Sequence, residues 1–171
     1  MQNFYGGAPE GPFGTGKTET TKDLSRTLGA VCYVLNTSAS YEYDNILKFF
    51  KGIAASGAWV VFDEFNRMDT GVLAYLSQVI IQIQSALKQS LGKPSQVQLD
   101  DAQKLDLDPH CAVFITTNPG YAGRSELPVN LKNLFRTVSM VVPDSIYITE
   151  IMLYASGFHQ AEKLAQKVVQ I

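Results

Sequence analysis

Residues 11–18 read Gly-Pro-Phe-Gly-Thr-Gly-Lys-Thr, a G-x-x-x-x-G-K-T loop. No other stretch of the chain is as demanding of its surroundings. Its glycines let successive backbone N–H groups turn inward around phosphate oxygens. A lysine at 17 reaches the β- and γ-phosphates, and a threonine at 18 offers its hydroxyl to Mg²⁺. A helix opening at this point adds the positive end of its dipole to the anion site. The loop residues Gly11, Pro12, Phe13, Gly14, Thr15, Gly16, Lys17, Thr18 and Glu19 are therefore the candidate triphosphate contacts. The competing reading is a glycine-rich turn that matches by chance, and the rest of the chain decides between the two.

The alternation of apolar and polar runs predicts strand, helix, strand, helix from end to end. Asn3–Tyr5 reads as the end of a first strand entering a Gly6-Gly7 turn. Lys17–Leu28 reads as a helix stopped by Gly29, Val31–Leu35 as a short strand, and Tyr43–Ala55 as a helix ending at Gly57. Ala58–Phe62 is a continuous apolar run, the mark of a strand buried on both faces. Thr70–Leu91 places Leu73, Leu76, Val79, Ile80, Ile83 and Leu87 on one side of a long amphipathic helix. Ala112–Thr117 and Thr137–Val142 read as a fourth and fifth strand, with Leu127–Phe135 helical between them. Ser145–Tyr154 and Ala161–Val169 complete the series as helices. Such alternation predicts an α/β fold, a parallel sheet covered by helices on both faces. Residues 88–109 break the rhythm; they are polar and weakly alternating, and predict a hairpin insertion projecting from the core.

Composition excludes several classes. With 171 residues the chain is long enough for one domain with a proper core. The formal net charge of −2 and the absence of a basic stripe argue against nucleic acid as a partner. No run of 18 or more apolar residues suggests a transmembrane helix, and the N-terminus shows no secretory pattern. The two cysteines, Cys32 and Cys111, lie in apolar strand-like runs and read as buried reduced thiols.

Further polar groups fall at strand ends. Trp59-Val60-Val61-Phe62 runs straight into Asp63-Glu64. Carboxylates at the C-terminal end of a parallel strand lie at the crevice where such sheets bind ligands. Asp63 is placed to hold Mg²⁺ through water, and Glu64 to orient and deprotonate an attacking water. A kinase-like protein needs no second acid, so the pair favours hydrolysis over transfer. Asn118, after the fourth strand, either hydrogen-bonds the γ-phosphate or the lytic water, or only makes the turn before Pro119. Arg67, Arg124 and Arg136 are three candidates for facing a neighbouring molecule, with Arg136 closing the Leu127–Phe135 helix; the chain alone does not choose among them.

Taken together, these strings resemble the AAA+ ATPases and, within them, the dynein heavy chains. Gly6-Gly7-Ala8-Pro9-Glu10-Gly11-Pro12 leading into Gly14-Thr15-Gly16-Lys17-Thr18-Glu19-Thr20 is similar to the first AAA module of that family. So are Phe62-Asp63-Glu64-Phe65-Asn66-Arg67, Phe114-Ile115-Thr116-Thr117-Asn118-Pro119-Gly120-Tyr121-Ala122-Gly123-Arg124, and Leu134-Phe135-Arg136. Glu10 and Ser125-Glu126-Leu127-Pro128 lean toward the axonemal members of cilia and flagella. The chain departs from the family at Phe13, where a small residue is usual, at Thr117 and at Val129.

The resemblance implies a three-layer P-loop fold with a five-stranded parallel sheet in the order 5-1-4-3-2. It implies a large subdomain over residues 1–157 and the first helix of a helical lid over 158–171. Lys17 and Thr18 map to the phosphate-loop pair, Asp63 and Glu64 to Walker B, and Asn118 to sensor 1. ATP or ADP and Mg²⁺ are the implied ligands, with Thr18 and Asp63 on the metal and Glu64, Asn118 and Lys17 as the catalytic groups. Implied partners are neighbouring AAA+ modules in a ring, microtubules through distant parts of a longer chain, and dynein intermediate and light chains, with no nucleic acid and no membrane. In such a ring Arg136 is an interface residue. The implied location is cytoplasmic and cytoskeletal, in the axoneme. Two alternatives stay open: a nucleotide-binding AAA+ module without turnover, and an AAA+ remodelling ATPase outside the dyneins.

Overall fold

A computed structural model of the chain describes residues 4–37, 43–91, 93–99, 104–118, 127 and 129–170. The elements are, in order, β1 (Gly6–Glu10), α1 (Lys17–Thr27), β2 (Cys32–Asn36), α2 (Tyr43–Ser56), β3 (Trp59–Asp63), α3 (Thr70–Gln89), β4 (Ser95–Gln98), β5 (Lys104–Leu107), β6 (Ala112–Ile115), α4 (Val129–Lys132), β7 (Phe135–Ser139), α5 (Ser145–Ala155) and α6 (Ala161–Val169). A 3₁₀ turn, Phe65–Arg67, follows β3.

Five strands form one parallel sheet in the order β2-β3-β6-β1-β7. Numbered among themselves they read 2-3-4-1-5, which is 5-1-4-3-2 from the other edge; the labels differ because β4 and β5 form a separate hairpin. β1 lies between β6 and β7, so the loop that leaves it opens beside the C-terminal ends of β3 and β6.

The fifth strand, expected over Thr137–Val142, runs Phe135–Ser139, and two further boundaries differ from the sequence expectation through strand pairing. Gly6 and Gly7 are strand residues of β1, not a turn. They are glycines because the rings of Phe135 and Phe114, on the flanking strands, occupy the space a Cβ would need. On the other side of that contact, Phe135 is buried at the start of β7 and pairs with Gly6, whose N–H donates to the Leu134 carbonyl at 3.1 Å. The expected Leu127–Phe135 helix is therefore a single turn, Val129–Lys132, among the described residues, and Arg136 sits in β7 instead of closing a helix.

β3 is buried on both faces, as its unbroken apolar run predicts. Val60 and Phe62 join the larger core cluster, while Trp59 and Val61 join a smaller one with Ala112 and Phe114. Phe50 stacks on Phe62 with ring centroids 5.6 Å apart, and the Phe65 ring, tilted, lies 5.6 Å from that of Phe62. α3 is 20 residues long and contains an 18-residue stretch with a mean hydropathy of 1.2, a length and composition that would also suit a membrane span. Its Leu73, Leu76, Val79, Ile80, Ile83 and Leu87 are instead all buried in the core.

The hairpin expected within residues 88–109 is present, with β4 and β5 antiparallel from Ser95 opposite Leu107 to Gln98 opposite Lys104. It does not project. Val97, Leu99 and Leu107 are buried in the main cluster because alternate strand positions share one face. Both cysteines are reduced; Cys111 is buried and Cys32 half-buried. Burial, with the Asp108 charge adding to it, pushes the Cys111 thiol up to about 12.

Contacts divide the chain into two compact units, Met1–Met140 and Val141–Ile171. The first holds the sheet. In the second, Asp144 caps α5 by accepting the N–H groups of Ile146 and Tyr147, and α6 buries Ala161 and Ala165.

Candidate nucleotide site

β1 ends at Glu10, and the chain turns through residues 11–16 before α1 begins at Lys17. Gly14 and Gly16 both have φ of 78°, a left-handed conformation in which a side chain is strained. Gly16 is the residue before the helix, and having no side chain it leaves the first turn of α1 without a side-chain cap. That end of α1 faces a cleft of about 400 Å³ whose walls include Gly14, Lys17, Thr18, Asp63, Glu64 and Asn118. Lys17 is buried, and its Nζ donates to the carbonyls of Gly11 (2.9 Å) and Pro12 (2.6 Å). Phe13 lines the rim of the cleft and is 73% exposed, so its ring turns outward. Glu19 is also at the rim, paired with Lys22.

The acids arrive from β3. The Thr18 hydroxyl donates to Asp63 Oδ1 at 2.7 Å, joining phosphate loop and acidic strand across 45 residues of sequence. The Thr116 hydroxyl, from the end of β6, donates to the same oxygen at 2.5 Å. Glu64 stands just past β3 with φ 56° and ψ 45°, a strained backbone for a residue with a side chain. Several groups hold it there. Its N–H donates to the Thr116 hydroxyl at 3.0 Å. Its carbonyl accepts the Arg67 N–H at 2.9 Å and lies 2.6 Å from the Thr37 hydroxyl.

Asn118 is buried, and its Nδ2 lies 3.4 Å from Glu64 Oε1, a weak hydrogen bond. Its Oδ1 is buried without a partner, as is that of Asn66, whose Nδ2 donates to the Asn118 carbonyl at 3.4 Å. Of the three arginines, Arg67 pairs with Glu64 of its own chain, Nη1 to Oε2 at 2.5 Å. The Arg136 guanidinium lies 5.6 Å from the centre of the Tyr5 ring. Arg124 lies outside the described residues.

The donor set fits the implied ligands. Thr18 and Asp63 present only oxygen, the chemistry a hard divalent cation selects. A buried ammonium, a glycine turn and an uncapped helix end suit an oligophosphate. Asn118 lines the same cleft and presents its Nδ2 to Glu64.

The sequence reading missed Thr37, Thr116 and Asn66. The one available signal was the position of Thr116, two residues before Asn118 at the same sheet edge as the acids.

Residues 1–171 match the family described as the hydrolytic ATP binding site of the dynein motor region. The chain is 55% identical over 164 residues to dynein axonemal heavy chain 3 of Mus musculus, covering 96% of this chain and 4% of that protein. It is 55% identical over 169 residues to dynein axonemal heavy chain 12 of Rattus norvegicus, 97% of this chain and 5% of the relative. It is 52% identical over 164 residues to dynein axonemal heavy chain 1 of Homo sapiens, 96% and 4%. The chain thus spans only a small fraction of the length of these relatives.

Proposed function

This chain belongs to the family that forms the hydrolytic ATP-binding site of the dynein motor region, and from that premise we propose that it is the first AAA module of an axonemal dynein heavy chain, binding and hydrolysing Mg·ATP. The observation that carries the reading is the convergence of Lys17, Thr18, Asp63, Glu64 and Asn118 on one cleft, tied together by the Thr18–Asp63 hydrogen bond.

The loop N–H groups and the first turn of α1 receive the phosphates. Lys17 exchanges its loop carbonyls for phosphate oxygens, which replaces neutral acceptors by charged ones. Thr18 and Asp63 hold Mg²⁺, which offsets phosphate charge. Glu64 accepts a proton from water as the water oxygen attacks the γ-phosphorus. The bond from that phosphorus to the bridging oxygen breaks, giving ADP and inorganic phosphate. Asn118, on the wall of the same cleft with its Nδ2 3.4 Å from Glu64 Oε1, positions the γ-phosphate. A cationic group from a neighbouring module completes the charge stabilisation; such a finger is worth roughly 10³–10⁵ in rate, so the chain on its own turns over very slowly. In the whole motor this cycle drives movement along microtubules in the axoneme, with the ring modules and the intermediate and light chains as partners.

The decisive experiment is Glu64→Gln in the intact motor. ATP binding is retained and microtubule-stimulated phosphate release is lost. Release at the unaltered rate refutes Glu64 as the base, and binding without turnover in the unaltered motor would mean a structural nucleotide site.

A further inference from the structure

We infer that Arg67 is a positioning residue for Glu64, and not a group that acts across to a neighbouring module. The inference rests on the reading of Glu64 as the base. Its starting point is local geometry. Glu64 takes a left-handed backbone and Phe65–Arg67 forms a 3₁₀ turn, in which side chains three residues apart eclipse. The turn is closed by the Arg67 N–H donating to the Glu64 carbonyl at 2.9 Å. Arg67 is thereby folded back over Glu64, and its Nη1 sits 2.5 Å from Oε2.

The two carboxylate oxygens are then differently engaged. Oε2 faces the guanidinium, and Oε1 lies 3.4 Å from Asn118 Nδ2 at the cleft. A glutamate has three side-chain torsions, and an unanchored one samples many rotamers. The Arg67 contact removes most of that freedom and leaves Oε1 as the oxygen presented to the water. The Glu64 carboxylate is only 17% exposed while Arg67 is 55% exposed, so the arginine anchors it from the solvent side without filling the cleft. Thr116 fixes the other end, accepting the Glu64 N–H and donating to Asp63, so that base and metal-binding acid move as one unit.

The test uses the intact motor with Arg67→Ala, Arg67→Lys, Glu64→Gln and the Glu64→Gln/Arg67→Ala pair. Misaiming a catalytic group by about an ångström costs up to ~10²-fold, so Arg67→Ala lowers kcat by at least about tenfold at unchanged nucleotide affinity, and Arg67→Lys restores part of it. Because Arg67 acts through Glu64, the small residual rate of Glu64→Gln is the same in the double variant. A residual rate that Arg67→Ala lowers further, or Arg67→Ala turning over at the unaltered rate while Glu64→Gln falls to its residual rate, overturns the inference and leaves the base assignment standing. Glu64→Gln turning over at the unaltered rate overturns the base assignment itself. Loss of nucleotide affinity in both Arg67 variants would mark a merely structural role.

Discussion

The left-handed backbone at Glu64 makes a prediction that runs against the usual ranking of small residues. Glu64 has φ 56° and ψ 45°. For an L-residue that conformation costs roughly 1–2 kcal/mol, because Cβ crowds the following carbonyl. Glycine escapes this cost. At ordinary positions alanine is more stabilising than glycine by about 0.4–1 kcal/mol, through the entropy of the unfolded chain. Subtracting the second from the first leaves glycine ahead by about 1 kcal/mol at position 64. Both Glu64→Gly and Glu64→Ala lose the Arg67 ion pair and the Asn118 contact, so those terms cancel in the comparison. In urea denaturation Glu64→Gly should therefore unfold at the higher midpoint, and in calorimetry about 2–4 °C above Glu64→Ala for a chain of this size. Both variants lack the carboxylate and turn over no ATP. If alanine proves at least as stable as glycine, the backbone at 64 is not held left-handed in solution, and the argument that the fold pre-aims this residue collapses.

Three more outcomes follow from the geometry. Gly7→Ala places a Cβ 2.6 Å from the Phe114 ring; overpacking of this kind costs about 1–3 kcal/mol, and denaturant midpoints should show it without a change in m. Lys17→Ala removes a charge-assisted contact worth about 1.5–3 kcal/mol, so titration calorimetry of the intact motor should read roughly 10- to 100-fold weaker nucleotide binding; unchanged affinity would place the phosphates elsewhere. Cys111 links stability to alkaline pH. Its folded-state value is raised from 9.0 to about 12, so its contribution is intact below pH 9 and is lost as pH rises through the interval to 12, at about 1.4 kcal/mol per unit. Unfolding curves at pH 8 and 10 should show that loss in the unaltered chain over and above the loss in Cys111→Ala.

Much of this molecule was legible in one dimension because the signals are local. The glycine loop, the Lys17–Thr18 pair, the apolar run into Asp63-Glu64 and the 3.6-residue stripe of α3 each specify an element by short-range chemistry. Burial then turns those elements into a sheet covered on both sides, with the hairpin set apart. What failed did so where a distant residue outvoted the local pattern. Gly6-Gly7 looks like a turn until Phe114 and Phe135 are laid beside it. Leu134-Phe135-Arg136 looks helical until Phe135 pairs with Gly6. The hairpin looks extruded until Val97 and Leu107 meet the core.

The site divides the same way. By itself the sequence determined which groups are candidates for the chemistry, since phosphate, metal and water each demand a particular side chain at a particular spacing. Only the tertiary structure decided how those groups are held: Thr116 bridging Asp63 and the Glu64 backbone, and Arg67 turned inward onto Glu64. The orientation of a carboxylate is set by hydrogen bonds to strands far apart in sequence, and no local pattern encodes which strand will lie alongside.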